Sequence, residues 1–220
     1  MLNSSEFFVK KDKFSTFLVE GVDKVIQNSY NDIDSEVIDS SEITQCDRRI
    51  YYKLIHGSME KTHSVQMHKS ALVSKWISIL AQIKGLKIME YGTMVADHNY
   101  SLASTVDIIG KMEDLPVVIK LIEVKNETFQ SDKAVRKHVV DVMSQMWMAE
   151  VSDGFLIYEN MLSKEFNIFH ILQNVSVLNA VRSKMKSLQE KKMLGILPDR
   201  KYESLSTECS ECCFKGKCWS

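Results

Sequence analysis

Three successive stretches, 87–94, 102–111 and 117–125, are dense in β-branched residues, and helical segments stand on both sides of them. Their length and turn-like separations predict strands. Before them, Leu72, Trp76, Ile79, Leu80 and Ile83 recur at helical spacing and predict a helix over 65–84. After them the pattern predicts a helix over 132–150, a strand over 154–158, another over 166–172, and a lysine-rich helix over 175–193 that Pro198 ends. Towards the N-terminus, 14–26 reads as a short amphipathic helix, 28–41 as a polar, acidic connector and 43–52 as a helix. Strands bracketed by helices in this order predict an α/β fold with a central mixed sheet.

The strand block is unusual in carrying charge inside apolar runs. Asp107 lies between Val106 and Ile108-Ile109, and Glu123 follows Val117-Val118-Ile119 and Leu121-Ile122. A carboxylate embedded in an apolar strand is costly unless it is paired or binds a metal. Residues two apart in a strand share a face, so Glu123 and Lys125 point the same way, and a neighbouring strand can bring Asp107 beside them. Phosphodiester hydrolysis needs such a grouping. Hard oxygen ligands hold Mg²⁺ or Mn²⁺, the metal activates a bound water, and a lysine stabilises the developing charge. The Val124 carbonyl offers a further ligand. His68, on the apolar face of the 65–84 helix, offers a nitrogen, with His63 in a more polar segment as the alternative, although taken alone His68 reads first as a core histidine with one satisfied hydrogen bond. A Glu-x-Lys in a strand is by itself more often a solvated face or a cross-strand ion pair.

Four of the five cysteines fall within the last twelve residues: Cys209, Cys212, Cys213 and Cys218, with Cys46 far upstream. In a reducing compartment this clustering points to metal or cluster ligation over disulfides. Cys209, Cys212 and Cys218 follow C-x2-C-x5-C, and Cys46 supplies a fourth thiolate; Cys212 is preferred to its neighbour Cys213. Four thiolates suit a [4Fe–4S] cluster or tetrahedral zinc. The isolated position of Cys46 favours the cluster, and spacing alone leaves both open.

Charge narrows the partners. With 28 basic and 29 acidic residues the net charge is −1, so a nucleic acid would have to be met by a local groove and not by a global field. Lys133, Arg136 and Lys137, and beside the cysteines Arg48 and Arg49, are candidate phosphate contacts. No apolar run reaches the length of about 18 to 20 residues that a membrane helix needs, and the N-terminus does not read as a signal peptide. The expectation is one cytoplasmic domain spanning 1–220.

Taken together, Cys46-Asp47-Arg48-Arg49, His68, Asp107, Glu123-Val124-Lys125, Gln145 and the terminal cysteines resemble one family. It is the RecB-like iron–sulfur exonucleases of the PD-(D/E)XK superfamily, associated with CRISPR systems and some phages. The cluster-bearing nuclease domain of AddB-type enzymes is similar. The resemblance covers about residues 40 to 219. It implies a restriction-endonuclease-like core and an iron–sulfur subdomain built from about 40–55 and 198–220. It implies Mn²⁺ or Mg²⁺ on His68, Asp107, Glu123 and the Val124 carbonyl, Lys125 assisting the attacking water, and Gln145 near the substrate. The implied activity is exonucleolytic cleavage of single-stranded DNA from 5′ ends, with a structural [4Fe–4S] cluster on Cys46, Cys209, Cys212 and Cys218. A homo-oligomer, or a recombination, CRISPR or phage partner protein, is compatible with it. The alternatives are a non-enzymatic DNA-binding or assembly protein that keeps the fold, and a zinc-stabilised nuclease. Where the family reads Gln-x-x-x-Tyr, this chain has Gln145 to Ala149 without the tyrosine, and Ser64 stands where a glycine is common.

Overall fold

The apolar strand segments assemble around a single long strand, which has more neighbours than a strand has edges. The computed structural model describes residues 37–57, 63–125 and 133–219; in the helix that begins at His63, the side chains of 63–68 and of 70 lie outside the description. The helix expected at 14–26 also lies outside the described residues. Strand β3 (Leu102–Met112) is paired along its whole length by antiparallel β2 (Leu86–Asp97). Its other edge is shared. The two-residue β1 (Ile38–Asp39) pairs in parallel with Leu102 and Ala103, and β4 (Leu115–Val124) pairs antiparallel with Ile108 to Met112. Strand β5 (Asp153–Asn160) runs parallel to β4, and β6 (Phe166–Leu172) closes the six-stranded sheet antiparallel to β5. The sheet is mixed, as expected. Ser104 to Asp107 lie in the gap between β1 and β4, where neither strand pairs with them.

Helices cover both faces. Helix α1 (Asp47–His56) follows a 3₁₀ turn at Ser40–Glu42, and α2 (His63–Leu80) lays Leu72, Val73, Trp76 and Leu80 on Ile108, Val117, Ile119, Leu121 and Ile157. On the opposite face α3 (Arg136–Met148) packs Val142, Met143 and Met146 against Val106, Val118, Leu156 and Tyr158. A side chain at Gly154 would meet Met146 Sδ at 2.7 Å and Val142 Cγ1 at 2.8 Å, so the glycine lets α3 lie directly on β5. Helix α4 (Val175–Leu194) starts where Asn174 Oδ1 accepts from the Ser176 and Val177 amides, and ends at Gly195, whose φ of 65° closes a left-handed cap.

Several boundaries differ from the sequence reading. The first described α-helix starts at Asp47, not at 43, because residues 43–46 turn the chain between the 3₁₀ segment at Ser40–Glu42 and the helix. Residues 38–39 of the expected connector are a strand. Helix α2 ends at Leu80, and α3 starts at Arg136, after Val135 in an extended conformation. Gly195, not Pro198, ends α4. Among the described residues no helix is long and apolar enough to cross a membrane.

A third core lies at one end of the sheet. Ile38, Ile50, Tyr51, Leu54, Leu102, Val181, Met185 and Leu188 enclose Phe214, which is fully buried although it comes from the cysteine-rich tail. That tail contains two short helices, α5 (Thr207–Ser210) and α6 (Lys215–Trp219).

Candidate active site

Where β1 and β4 part on the edge of β3, the backbone of the neighbouring strand would be left without a partner, and side chains fill the role. Asp107 Oδ2 accepts the Leu121 N–H at 2.8 Å, and Oδ1 meets Lys69 Nζ of α2 at 2.7 Å. The carboxylate is 1% exposed, whereas the Lys69 side chain is 35% exposed. Burial alone would push the Asp107 carboxyl up. Lys69, then Lys120, then the Leu121 amide outweigh burial and hold it below the usual carboxylate range.

Beneath it runs a buried polar network. Lys120 Nζ lies 3.0 Å from Asp141 Oδ2, both side chains being nearly inaccessible. Burial would strip the lysine of its proton, yet Asp141, Asp107 and Asp39 hold it protonated far above its ordinary value. Asp141 Oδ1 accepts from the Ser40 hydroxyl and, at 3.4 Å, from Gln145 Nε2. The same Gln145 nitrogen donates to Ser104 Oγ at 2.8 Å and to the Thr105 carbonyl at 3.3 Å. Gln145 is thus fully buried in α3, gripping β3 two to three residues before Asp107.

The Glu-x-Lys segment occupies the end of β4. Glu123 is half-buried and pairs in register with Glu159 of β5, so the two carboxylate-bearing residues stand side by side. Glu159 is buried and held by α2, with Lys75 Nζ at 2.5 Å and Trp76 Nε1 donating at 2.8 Å. Lys125 is exposed just past the strand end, and the Val124 carbonyl accepts from the Met161 amide at 2.9 Å, with a second lone pair remaining. His68 lies in α2, and its side chain is outside the described residues. Lys133, Arg136 and Lys137 are exposed around the start of α3.

The oxygen donors of Asp107, Glu123 and the Val124 carbonyl have the chemistry a hard dication requires. The ammonium of Lys69 supplies the positive charge that the buried Asp107 carboxylate needs. The cysteines lie apart from these carboxylates. Cys46 precedes α1 directly, Cys212 and Cys218 pack on the core around Phe214, and no disulfide joins the cysteines. Arg48, expected to reach phosphate, turns inward, with Nε on the Pro198 carbonyl at 2.8 Å and Nη1 on the Cys218 carbonyl at 3.2 Å and its sulfur at 3.7 Å. Arg200 donates to the same carbonyl at 2.9 and 3.1 Å. Two guanidiniums thus converge on one backbone carbonyl and tie the tail to α1. Among the described residues, no three His, Cys, Asp or Glu side chains are already gathered in a metal-holding group.

Sequence reasoning missed Lys69, Lys75, Lys120, Asp141 and Glu159. Lys120 and Glu159 had a visible signal, a charge inside an apolar strand, which is the same signal that singled out Asp107. Lys69 and Lys75 had none, because a helix lysine reads as a solvated face.

No protein-family profile matches the sequence, and no curated protein matches it. Solved structures share its fold. SSO0001 aligns over 95% of this chain and 97% of that one, with a TM-score of 0.56 and 15% identity. LHK-Exo, an alkaline exonuclease from Laribacter hongkongensis, in complex with dAMP, aligns over 73% of this chain and 90% of that one, with a TM-score of 0.57 and 9% identity. A phage-related exonuclease from Haemophilus somnus 129PT aligns over 74% of this chain and 96% of that one, with a TM-score of 0.54 and 10% identity. At these identities the common property is the fold, a mixed sheet between helices that this chain shares with solved exonucleases.

Proposed function

We propose that this chain is a divalent-metal-dependent deoxyribonuclease. The observation that carries the reading is Asp107, a buried carboxylate in the gap between β1 and β4, fixed to the strand that carries Glu123 and leads into Lys125. A dication there would supply Lewis acidity and an activated water. Asp107, Glu123 and the Val124 carbonyl would hold it, with His68 as a nitrogen ligand. Lys125, exposed at the strand end, would stabilise charge on the phosphate. Gln145 would act by positioning the start of β3. Lys133, Arg136 and Lys137 would guide the DNA backbone. The finer assignments, single-stranded ends and attack from the 5′ end, follow the family resemblance, and the exonucleases among the structural neighbours agree with cleavage at ends. The cysteines Cys46, Cys209, Cys212 and Cys218 would hold a structural [4Fe–4S] cluster.

The test is cleavage of labelled single-stranded DNA with Mn²⁺ by anaerobically purified protein, beside Glu123→Ala. Cleavage by the wild type alone is the expected result. Undiminished cleavage by Glu123→Ala would overturn the site. A second reading, a DNA-binding or assembly protein, has one observation in its favour: Asp107 already has a partner on each oxygen. No cleavage by either protein, with DNA binding intact, would select it.

A further inference from the structure

Among the described residues, Lys69 is the one cation that α2 brings against Asp107, and it differs from the other charges around it. Lys120 also faces Asp107 but is buried and committed to Asp141 at 3.0 Å. The Leu121 amide is part of the strand and cannot leave. Of these groups, Lys69 combines a contact of 2.7 Å with a side chain open to solvent over about a third of its surface. It sits on α2, which Trp76 and Lys75 fasten to Glu159 further along, so the helix is held independently of the Lys69 side chain. A dication bound to Asp107 and an ammonium bound to the same oxygen would repel one another strongly in so buried a setting.

We propose that Lys69 is the exchangeable counter-ion of Asp107: it positions the carboxylate while no metal is bound and gives it up to an incoming divalent cation. The inference rests on the metal-site reading above and assigns the competing group within it. Lys69 is therefore a positioning residue that also sets the threshold for metal binding. A site that is open for only part of the time binds more weakly in proportion to that fraction, so removing the ammonium tightens the apparent affinity.

Two measurements on the full chain test this. In the wild type, amine-reactive labelling read by mass spectrometry is run with and without saturating Mn²⁺. Labelling of Lys69 should rise with Mn²⁺ while Lys120 stays protected. Calorimetric titration of Mn²⁺ is then compared among wild type, Lys69→Met, Lys69→Gln and Asp107→Asn. The two Lys69 variants should bind several-fold tighter, and Asp107→Asn should lose binding. Unchanged Lys69 labelling, or a neutral variant that folds and binds Mn²⁺ no tighter, would overturn the exchange while leaving the metal site standing. No Mn²⁺ binding by the wild type, or binding that Asp107→Asn leaves intact, would overturn the metal site itself and the exchange with it.

Discussion

The carboxylate corner and the cysteine corner are built on opposite principles. At the carboxylate corner, charges are buried and answered by charges: Lys69 on Asp107, Lys120 on Asp141, Lys75 on Glu159. The partners lie on adjoining strands and on the helices covering them. At the cysteine corner the reactive groups stay half-exposed, and an apolar plug does the anchoring, with Phe214 buried among Ile50, Leu54, Met185 and their neighbours. Its polar ties run to backbone carbonyls from distant residues, such as Tyr52 to Lys217 at 3.0 Å and Arg48 to Cys218. The difference teaches which corner tolerates the loss of a single group. A buried charge that loses its partner is stranded. A docked tail that loses a hydrogen bond still has its plug.

The largest effect should come from stranding a charge. Lys120→Met leaves Asp141 buried beside a methionine and should cost about 3–5 kcal/mol in urea unfolding. Adding Asp141→Leu to that variant should recover much of the loss. If Lys120→Met proved milder than any change in the tail, the ranking of the two corners would be reversed. Next comes Phe214→Ala, which should cost about 3 kcal/mol through lost burial and the cavity it leaves. Limited proteolysis should then cut the tail first, while near-ultraviolet dichroism from Trp76, beside Glu159, stays native.

Acid separates the corners by a smaller amount. The Asp107 carboxyl is held below its ordinary value in the fold, so the stability it gives is present above about pH 3.9, the unfolded value, and lost as pH falls through the lower folded value. Thermal melts taken from pH 7 downward should show this loss, and Asp107→Asn should show a shallower one. An equal slope in the two proteins would assign acid sensitivity elsewhere. The smallest effect is expected from Arg200→Ala. Its guanidinium is exposed, its bonds to the Cys218 carbonyl compete with water, and stability should change by about 1 kcal/mol or less in denaturant melts.

Much of the fold was legible because periodicity reports burial. The strand segments, the helix over α2 and the long α4 all appear where apolar spacing put them. Ends were less legible, since caps and turns act locally: the turn over 43–46 displaced the start of α1, and Gly195 closed α4 ahead of Pro198. At the site, Asp107 and Glu123 could be singled out because charge inside an apolar strand is expensive. Nothing in the linear pattern could say which cations would answer it. Lys69 and Lys75 were indistinguishable from surface lysines until α2 was laid across the sheet, and Arg48 looked like a phosphate contact until the tail folded back onto it.

The sequence by itself therefore determined the layers, the strands that carry carboxylates, and the clustering of thiols, because hydrophobic period and residue type are local properties. The tertiary structure alone decided that β1 and β4 share one edge of β3, leaving the gap where Asp107 takes a backbone amide, and that Phe214 carries the cysteine tail to α1. Both depend on contacts between residues far apart in the chain, where packing and desolvation act on pairs that no local pattern encodes.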